Sequence, residues 1–449
     1  MDKNSERIVS FASSLEFRDL SPAVVRAIKL RFIDTVGCAL GAFSAAPAVI
    51  TRRLASGVQS ASPAGVLGSH IKSSPDLAAF ANGTMIRCLD FNDDYFGKDG
   101  PHPSDTIAAV LAAADSGHAN GKLFITGIAV AYEILCNLVD AVSLREKGWD
   151  YVTYTAMASA VGAGRVFTFP HEIMSHAMSL AMVSNCALGE TRAGELSMWK
   201  GMASANACRN GVFACLLARE GVTGPPEPIE GKRGFWKLVT GPFELSSIGM
   251  SPLRAEIVYL KNWPVLYSAQ LAVQAALTLR NEVATNDIES LVVESYGRLT
   301  TRSASEPEKA APKTRETADH SVHFGVAAAL LDGDITLDSF ESKRFLDPDV
   351  VELMAKIQLR EDPEFTKEYP EVWNCRITAV TKSGKKHQVH ATYPKGHPKN
   401  PMNDYEVEEK FLKLNGRMLG DQRCRVFFDF AWHLDEVDDV GKVFDLVAI

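Results

Sequence analysis

Helical periodicity through the first 220 residues constrains the fold more than any other feature of this sequence. Ser21-Pro22 is a capping residue followed by a proline, and from there to Gly41 apolar residues recur every three or four positions. No clear β-rich run interrupts this half, so residues 1 to about 220 predict one large helical bundle. Four later segments are apolar and rich in alanine and glycine, which lets helices pack closely: 122–140, 153–167, 174–188 and 203–220.

The pattern changes beyond about residue 260. Helical patterns remain at 265–281 and 319–331, and helical character returns after the capping pair Asn403-Asp404. Three stretches in this part predict strands, with Gly384 as the turn between the last two: 288–296, 375–380 and 387–393.

These patterns predict a mainly α protein with two domains. We expect a large helical bundle domain over residues 1–264, completed by residues 402–449. Residues 265–401 then form an inserted, smaller α+β lid domain. A chain of 449 residues exceeds one core of ordinary size, which agrees with this division.

The composition excludes several classes of partner. A net charge of −8 argues against nucleic acid, because phosphate binding needs a basic face, although local cations can still bind a small anion. The eight cysteines are scattered without a CxxC pair, which indicates reduced thiols and no iron–sulfur cage. The apolar stretch from Leu123 to Val139 is interrupted by Glu133 and is expected to be too short to span a bilayer. We therefore expect a soluble, cytoplasmic protein.

Motifs for nucleotides and metals fail on spacing. The stretch 162–167 lacks the third glycine of a dinucleotide fingerprint, and 117–122 is one residue short of a phosphate loop. His171 and His176 are five residues apart, not the four that one helix face requires. The sequence thus predicts a protein without metal or other cofactor.

The densest polar segment is 89–95, and His102 follows it between two prolines. Ser104 predicts the cap of a helix that carries Ile107. A helix amino terminus favours an anion, and a histidine beside it can exchange a proton with that anion. A cation-binding acidic loop or a simple capping turn explains the same spacing.

Basic residues inside an Ala-rich helical stretch form a second candidate site. Lys200 lies in the segment 191–201 and Arg209 in the segment 207–212. A buried cation is costly unless an anion pairs with it, so the two side chains suit a clamp for substrate carboxylates. An ordinary solvated face is the alternative.

These two clusters resemble those of the MmgE/PrpD family, which includes 2-methylcitrate dehydratase, cis-aconitate decarboxylase and iminodisuccinate epimerase. The resemblance covers nearly the whole chain and implies a helical domain with an α+β lid, and a homodimer. Its further landmarks here are Gly148–Val152, Lys261–Pro264, Arg315–Ser321, Tyr393–Pro398 and Glu409–Phe411.

The resemblance also implies roles for single residues. Asp90 and His102 match the acidic-loop and histidine positions of the family's site. Lys200 and Lys261 match the two lysines that face its cleft, and His320 lies in the lid motif.

Three positions depart from the family pattern. Asp94 stands where threonine is common, Tyr151 where many members carry histidine, and Ser268 where a histidine often occurs. Tyrosine can still exchange a proton, but its pKa near ~10 suits a different half-reaction. These departures leave the exact substrate open.

Together, the residues and the resemblance predict a carbon–oxygen lyase that dehydrates a small β-hydroxy polycarboxylate, as 2-methylcitrate dehydratase does in propionate metabolism. Epimerisation or decarboxylation of a related acid is the alternative within the family, and a non-catalytic carboxylate-binding protein is the alternative outside it. The predicted catalytic residues are His102, Tyr151, Asp90 and Lys200, and the predicted substrate-binding residues are Asp94, Arg209, Lys261, Ser268 and His320.

Overall fold

A computed structural model describes residues 1–300 and 306–449 of the chain. It is 58% helical and 9% strand, which confirms the predicted mainly α fold with a smaller α+β domain. Two compact units are present. The first comprises Met1–Arg192, Met198–Val258 and Asn403–Ile449, and the second comprises Ala193–Ser197 and Tyr259–Met402. The predicted domain limits at residues 264 and 401 stay a proposal, which limited proteolysis would test.

The first unit is built from helices, together with a two-residue antiparallel ladder between β1 (Ala64–Gly65) and β2 (Lys72–Ser73) that the sequence did not predict. Several short 3₁₀ turns connect the helices. The α-helices are Lys3–Ser14, Pro22–Gly41, Ala46–Ser56, Pro75–Arg87, Ile107–Ser116, Gly121–Ala141, Val152–Val166, His171–Val183, Ala203–Arg219, Asp404–Leu419, Asp421–Trp432 and Lys442–Leu446.

Capping side chains start several of these helices. The predicted cap Ser21 is confirmed, since its hydroxyl accepts the N–H of Val24 at 3.2 Å. Asn120 and Asn403 accept backbone N–H groups in the same way. Each cap satisfies a donor that the first helical turn leaves without a partner.

Small residues let the central helices approach one another. A Cβ atom on Gly211 would lie 2.7 Å from the carbonyl oxygen of Ala156, and one on Gly162 would lie 3.0 Å from the carbonyl of Gly127. Any larger side chain would push these backbones apart. The close contact holds the helix Val152–Val166, which Tyr151 precedes, firmly in the core.

Two local predictions were wrong. Ser104 does not cap a helix, because Pro103–Thr106 forms a 3₁₀ turn and the α-helix begins only at Ile107. The backbone N–H of Ser104 instead donates to the carboxylate of Asp93 at 2.9 Å, so a residue distant in sequence fulfils the capping role. The helix expected over 174–188 runs over His171–Val183.

The helix Gly121–Ala141 is long and apolar enough to cross a bilayer, so the expectation that this stretch is too short was wrong. However, 89% of its most apolar window is buried inside the protein. Core helices of soluble proteins meet the same length and hydropathy criteria, and they are mostly buried, as this helix is.

The second unit contains a four-stranded sheet of order β4-β3-β5-β6. Strands β3 (Ile288–Ser295), β5 (Asn374–Thr381) and β6 (Lys386–Thr392) are antiparallel neighbours and confirm the three predicted strands. The sequence missed β4 (Ile357–Glu361), which pairs parallel with β3 at one edge. Beyond Ile357 most of its side chains are exposed and several are polar, so its pattern is a poor strand signal.

One face of this sheet is buried by helices. Residues Ile377 and Ala379 of β5 are fully buried, and β5 and β6 pack against the helix Tyr267–Leu279. The α-helices of the second unit that lie wholly within the described residues are Tyr267–Leu279, Pro307–Ala310, Arg315–Ala318, Val322–Asp332, Leu337–Glu341, Pro348–Ala355 and Pro363–Glu368.

Candidate active site

The acidic loop, residues 89–95, leaves the helix Pro75–Arg87 through a tight turn. Asp90 lies in the left-handed region with φ 53°, and its N–H donates to the carbonyl of Arg87 at 3.1 Å. Aspartate tolerates this conformation better than most residues. The turn brings the Asp90 carboxylate onto the Arg87 guanidinium, and the Nη1 atom of Arg87 donates to Oδ1 of Asp90.

Arg87 and Asp90 form a buried ion pair, each side chain being only 1% exposed. Burial alone would lower the pKa of Arg87, but the negative charge of Asp90 raises it well above the ordinary value. Arg87 is therefore charged at neutral pH, and its guanidinium lies against the Asp90 carboxylate. Removing either partner would leave an uncompensated charge in the interior.

Asp93 fixes the middle of the loop. Its Oδ1 accepts the N–H of Ser104 at 2.9 Å, and its Oδ2 accepts the hydroxyl of Tyr132 at 2.8 Å. Burial raises the pKa of the Asp93 carboxyl, and the bonds from Ser104 and Tyr132 oppose that rise. The carboxylate joins the loop to the turn that carries His102.

The C-terminal helix Asp404–Leu419 also holds the acidic loop. Lys410 is buried, and its Nζ atom donates to the carbonyl of Phe91 at 2.8 Å and lies 3.8 Å from the centroid of the Phe91 ring. The same ammonium pairs with Asp34 at 2.6 Å. A residue more than 300 positions away thus determines where the backbone beside Asp90 lies.

His102 is 5% exposed and its ring orientation is well defined. Its Nδ1 atom lies 2.6 Å from the carbonyl oxygen of Asp93, which can only accept, so Nδ1 carries the proton. In the neutral ring the lone pair is then on Nε2, which lies 3.8 Å from Oδ1 of Asp90. The Oδ2 atom of Asp94 lies 3.8 Å from Nδ1. This arrangement suits a general base whose protonated form is stabilised by two carboxylates.

Tyr151 precedes the helix Val152–Val166 and is 4% exposed. Its ring centroid lies 6.1 Å from that of His102. Burial raises the pKa of its hydroxyl, which the nearby Arg192 opposes. The hydroxyl is therefore protonated at neutral pH and can act as an acid, but not as a base.

Lys200 lies in the 3₁₀ turn Met198–Gly201 and is 1% exposed. Its Nζ atom is 3.9 Å from Oδ1 of Asp90. Arg192 fixes the turn, since its Nη1 atom donates to the carbonyl of Lys200 at 3.4 Å while its Nε atom pairs with Asp150 at 3.0 Å. Within the first unit, the structure thus brings together all four residues predicted to be catalytic.

Asp105 is a buried acid that the sequence reasoning did not select. Burial raises the pKa of its carboxyl to about 6, and the nearby Arg87 limits the rise. Its Oδ1 accepts the amide of Asn92 at 3.0 Å, and its Oδ2 accepts the hydroxyl of Tyr151 at 3.5 Å. Arg87, Asp105 and Arg192 were all missed. Arg87 and Asp105 border apolar helical runs, which was a signal for them, whereas Arg192 lies in a polar segment.

Arg209 was predicted as a substrate clamp. It lies on the helix Ala203–Arg219, is half-buried, and donates to the side-chain oxygen of Asn210 at 3.3 Å. Cys208, one position earlier, is the residue that faces Asp105, with its Sγ atom 3.1 Å from the Asp105 carbonyl. A step of one residue turns the side chain about 100° around a helix, so Arg209 points away from that contact. Its binding role stays a prediction.

The second unit contains the other predicted binding residues. Asp319 is fully buried, its Oδ1 lies 2.5 Å from Nδ1 of His320, and its Oδ2 pairs with Arg315 at 3.5 Å. This carboxylate fixes the His320 ring, and the sequence reasoning missed it. Lys261 is fully buried, and Ser268 is half-buried in the first turn of the helix Tyr267–Leu279.

The chain is similar to known proteins over nearly its whole length. Residues 6–247 match the MmgE/PrpD N-terminal domain and residues 263–436 match the MmgE/PrpD C-terminal domain. The chain is 28% identical to a 2-methylcitrate dehydratase of Cupriavidus necator over 393 residues, 81% of this chain and 80% of the relative. It is 26% identical to the mitochondrial 2-methylcitrate dehydratase of Yarrowia lipolytica, covering 92% of this chain and 85% of the relative. It is 25% identical to the cis-aconitate decarboxylase of Homo sapiens, covering 84% and 80%. With both domains matched in order along nearly its whole length, the chain belongs to the MmgE/PrpD family.

Proposed function

We propose that the protein is a lyase that dehydrates a small β-hydroxy polycarboxylate of the 2-methylcitrate type. The observation that carries the proposal is the protonation state of His102 and Tyr151, whose side chains are neighbours. His102 has its lone pair on Nε2, because Nδ1 donates to the Asp93 carbonyl, and Tyr151 keeps its proton because it is buried. A dehydration needs such a base and such an acid. The relatives named 2-methylcitrate dehydratase support the substrate class.

In the proposed reaction, Nε2 of His102 takes the proton α to a substrate carboxylate. The ammonium of Lys200 stabilises the enediolate-like charge that develops, and the Tyr151 hydroxyl protonates the departing hydroxyl. The Asp90 carboxylate, 3.8 Å from Nε2, stabilises the imidazolium that forms. Arg87 pairs with the same carboxylate and holds it beside the imidazole.

Substrate binding is a further part of the proposal. The family resemblance supports this role for the five residues named for it, and the homodimer rests on the same resemblance, which light scattering would test. Each binding residue is tested by whether its alanine variant raises KM without lowering kcat. These residues are Asp94, Arg209, Lys261, Ser268 and His320.

Epimerisation of a related acid is the second candidate. The same pair favours it, because a proton that His102 removes from one face of a carbon can be replaced by the Tyr151 proton on the other. The ring centroids are 6.1 Å apart, so the two side chains are neighbours in the site. Decarboxylation is supported by one relative's name, and no contact within the described residues favours it over dehydration.

Turnover followed by NMR in deuterated water tests the proposal. The substrates are 2-methylcitrate, citrate, cis-aconitate and iminodisuccinate. A hydro-lyase forms an alkene and water, whereas an epimerase exchanges the α-proton for deuterium without losing water. Release of CO₂ would identify a decarboxylase. Thermal stabilisation by a di- or tricarboxylate without any turnover would contradict all three and indicate a binding protein.

A further inference from the structure

The Tyr151 hydroxyl lies between an anion and a cation. It donates to Oδ2 of Asp105 at 3.5 Å and accepts from Nη2 of Arg192 at 3.4 Å. The Arg192 guanidinium also lies over the Tyr151 ring, 4.9 Å from its centroid. In the structure the hydroxyl proton points to Asp105, and the contacts with Asp105 and Arg192 together fix the position of the phenol oxygen.

Asp105 is itself held from several sides. The Asn92 amide donates to Oδ1 at 3.0 Å, and the Cys208 thiol donates to the backbone carbonyl at 3.1 Å. The side chain is 1% exposed and lies in the 3₁₀ turn Pro103–Thr106, directly after the segment that positions His102. Burial disfavours the charge of a carboxylate, so we expect a carboxylate buried in this way to have a role in the site.

The charged and titratable groups around Asp105 come from several elements of the first unit. Arg87 and Arg192 favour its ionised form, while Asp93 opposes it. The Tyr151 hydroxyl is the group toward which its second oxygen is directed. An ionised Asp105 is therefore compatible with its neighbours, and its one catalytic contact is with Tyr151.

We propose that Asp105 is a positioning residue for Tyr151, whose carboxylate fixes the place of the phenol oxygen in the site; this rests on the proposed function. In the dehydration step, the Tyr151 hydroxyl turns about its own C–O bond from Asp105 to the hydroxyl of the substrate. The electron pair of the substrate C–O bond leaves with that hydroxyl oxygen, which takes the Tyr151 proton and departs as water. The phenolate left behind faces the Arg192 guanidinium. The proton that His102 removed returns to Tyr151 after product release, so the cycle closes without an external reactant.

A double-mutant cycle tests the positioning role. The isosteric variant Asp105→Asn should lower kcat at least ~10-fold and change KM less than ~3-fold, because the phenol oxygen of the acid is displaced while binding is kept. Tyr151→Phe should lower kcat further, and adding Asp105→Asn to it should cause no additional loss. Multiplicative losses in the double variant would overturn the proposal, since a purely structural role of Asp105 does not depend on the Tyr151 hydroxyl.

Asp99→Asn is the matched control, because Asp99 is also buried but binds Ser143 and the backbone of Leu144. Its effect should multiply with that of Tyr151→Phe. If Asp105→Asn does not fold by circular dichroism, Asn92→Ala replaces it in the cycle, because it removes the amide that holds Oδ1.

A second readout does not depend on turnover. In protein carrying [¹³Cζ]tyrosine, the resonance absent from Tyr151→Phe belongs to Tyr151. Asp105→Asn should shift this resonance and Asp99→Asn should leave it in place. An unshifted resonance overturns the contact whether or not the enzyme is active. Absence of turnover in the wild type with a shifted resonance would instead contradict the proposed function alone.

Discussion

The Nδ1 atom of His102 lies 2.6 Å from the backbone carbonyl of Asp93, and the carboxylate of Asp93 binds the backbone N–H of Ser104 at 2.9 Å. The Asp93 carbonyl thus orients the ring, and the Asp93 carboxylate holds the turn that follows it. A backbone carbonyl does not change when a side chain is substituted, so the proton on Nδ1 and the lone pair on Nε2 are set by the main chain of Asp93.

His102→Ala should lower kcat at least ~100-fold while leaving the fold intact, because it removes the proposed general base. Steady-state kinetics and circular dichroism check this. His118→Ala is the control, since that histidine is 81% exposed and pairs only at the surface with Asp439. Near-normal turnover, or a loss that follows from unfolding, would make His102 a structural residue.

Arg209→Ala should raise KM several-fold at constant kcat, about 1 kcal/mol of binding shared by ground and transition states. Arg219→Ala, at the last residue of the same helix, is the control and should leave KM unchanged. Arg209 contacts Asn210 in the structure. An unchanged KM would therefore mean that Arg209 belongs to an ordinary solvated face and does not bind substrate.

Asp105→Asn should stabilise the protein at neutral and alkaline pH. Burial raises the folded-state pKa of this carboxyl to about 6, above the unfolded value near ~3.9. A raised pKa contributes stability that is fully present below about pH 4 and is lost as the pH rises through about 6. Asparagine carries no charge, so the variant avoids this loss of stability, which is at most about 3 kcal/mol for the pKa shift of Asp105.

Thermal unfolding at about pH 4.5 and about pH 8 measures the effect on stability. The Tm of Asp105→Asn should exceed that of the wild type at the higher pH only. Together with the lower kcat expected above, this result would mean that the Asp105 carboxylate lowers the stability of the protein and raises its activity. An equal shift of Tm at both values would show that the charge of Asp105 is not its cause.

Prolonged treatment with a chelator should leave turnover unchanged, since the proposed steps use side-chain acids, bases and cations alone. Elemental analysis of the purified protein checks the same expectation. One zinc or iron per chain, lost together with activity, would contradict it.

Much of the fold could be predicted from periodicity, but parts of the site could not. Helices such as Pro22–Gly41 follow local rules of capping and apolar spacing, and the structure confirms them. The prediction that Ser104 caps a helix failed because the N–H of Ser104 binds Asp93, eleven residues earlier. Arg192 was missed because its partner Asp150 lies 42 positions away. Such pairs arise from tertiary packing, which local patterns do not contain.

The contact between Lys410 and the Phe91 carbonyl has a consequence for biosynthesis. A ribosome completes the helices around the acidic loop long before it adds Lys410, so the nascent chain carries the loop without its last support. The final helices then pack onto helices that have already formed. Ribosome-bound chains that stop before residue 404 should therefore bind no substrate, and release of the full chain should be the step at which activity first arises.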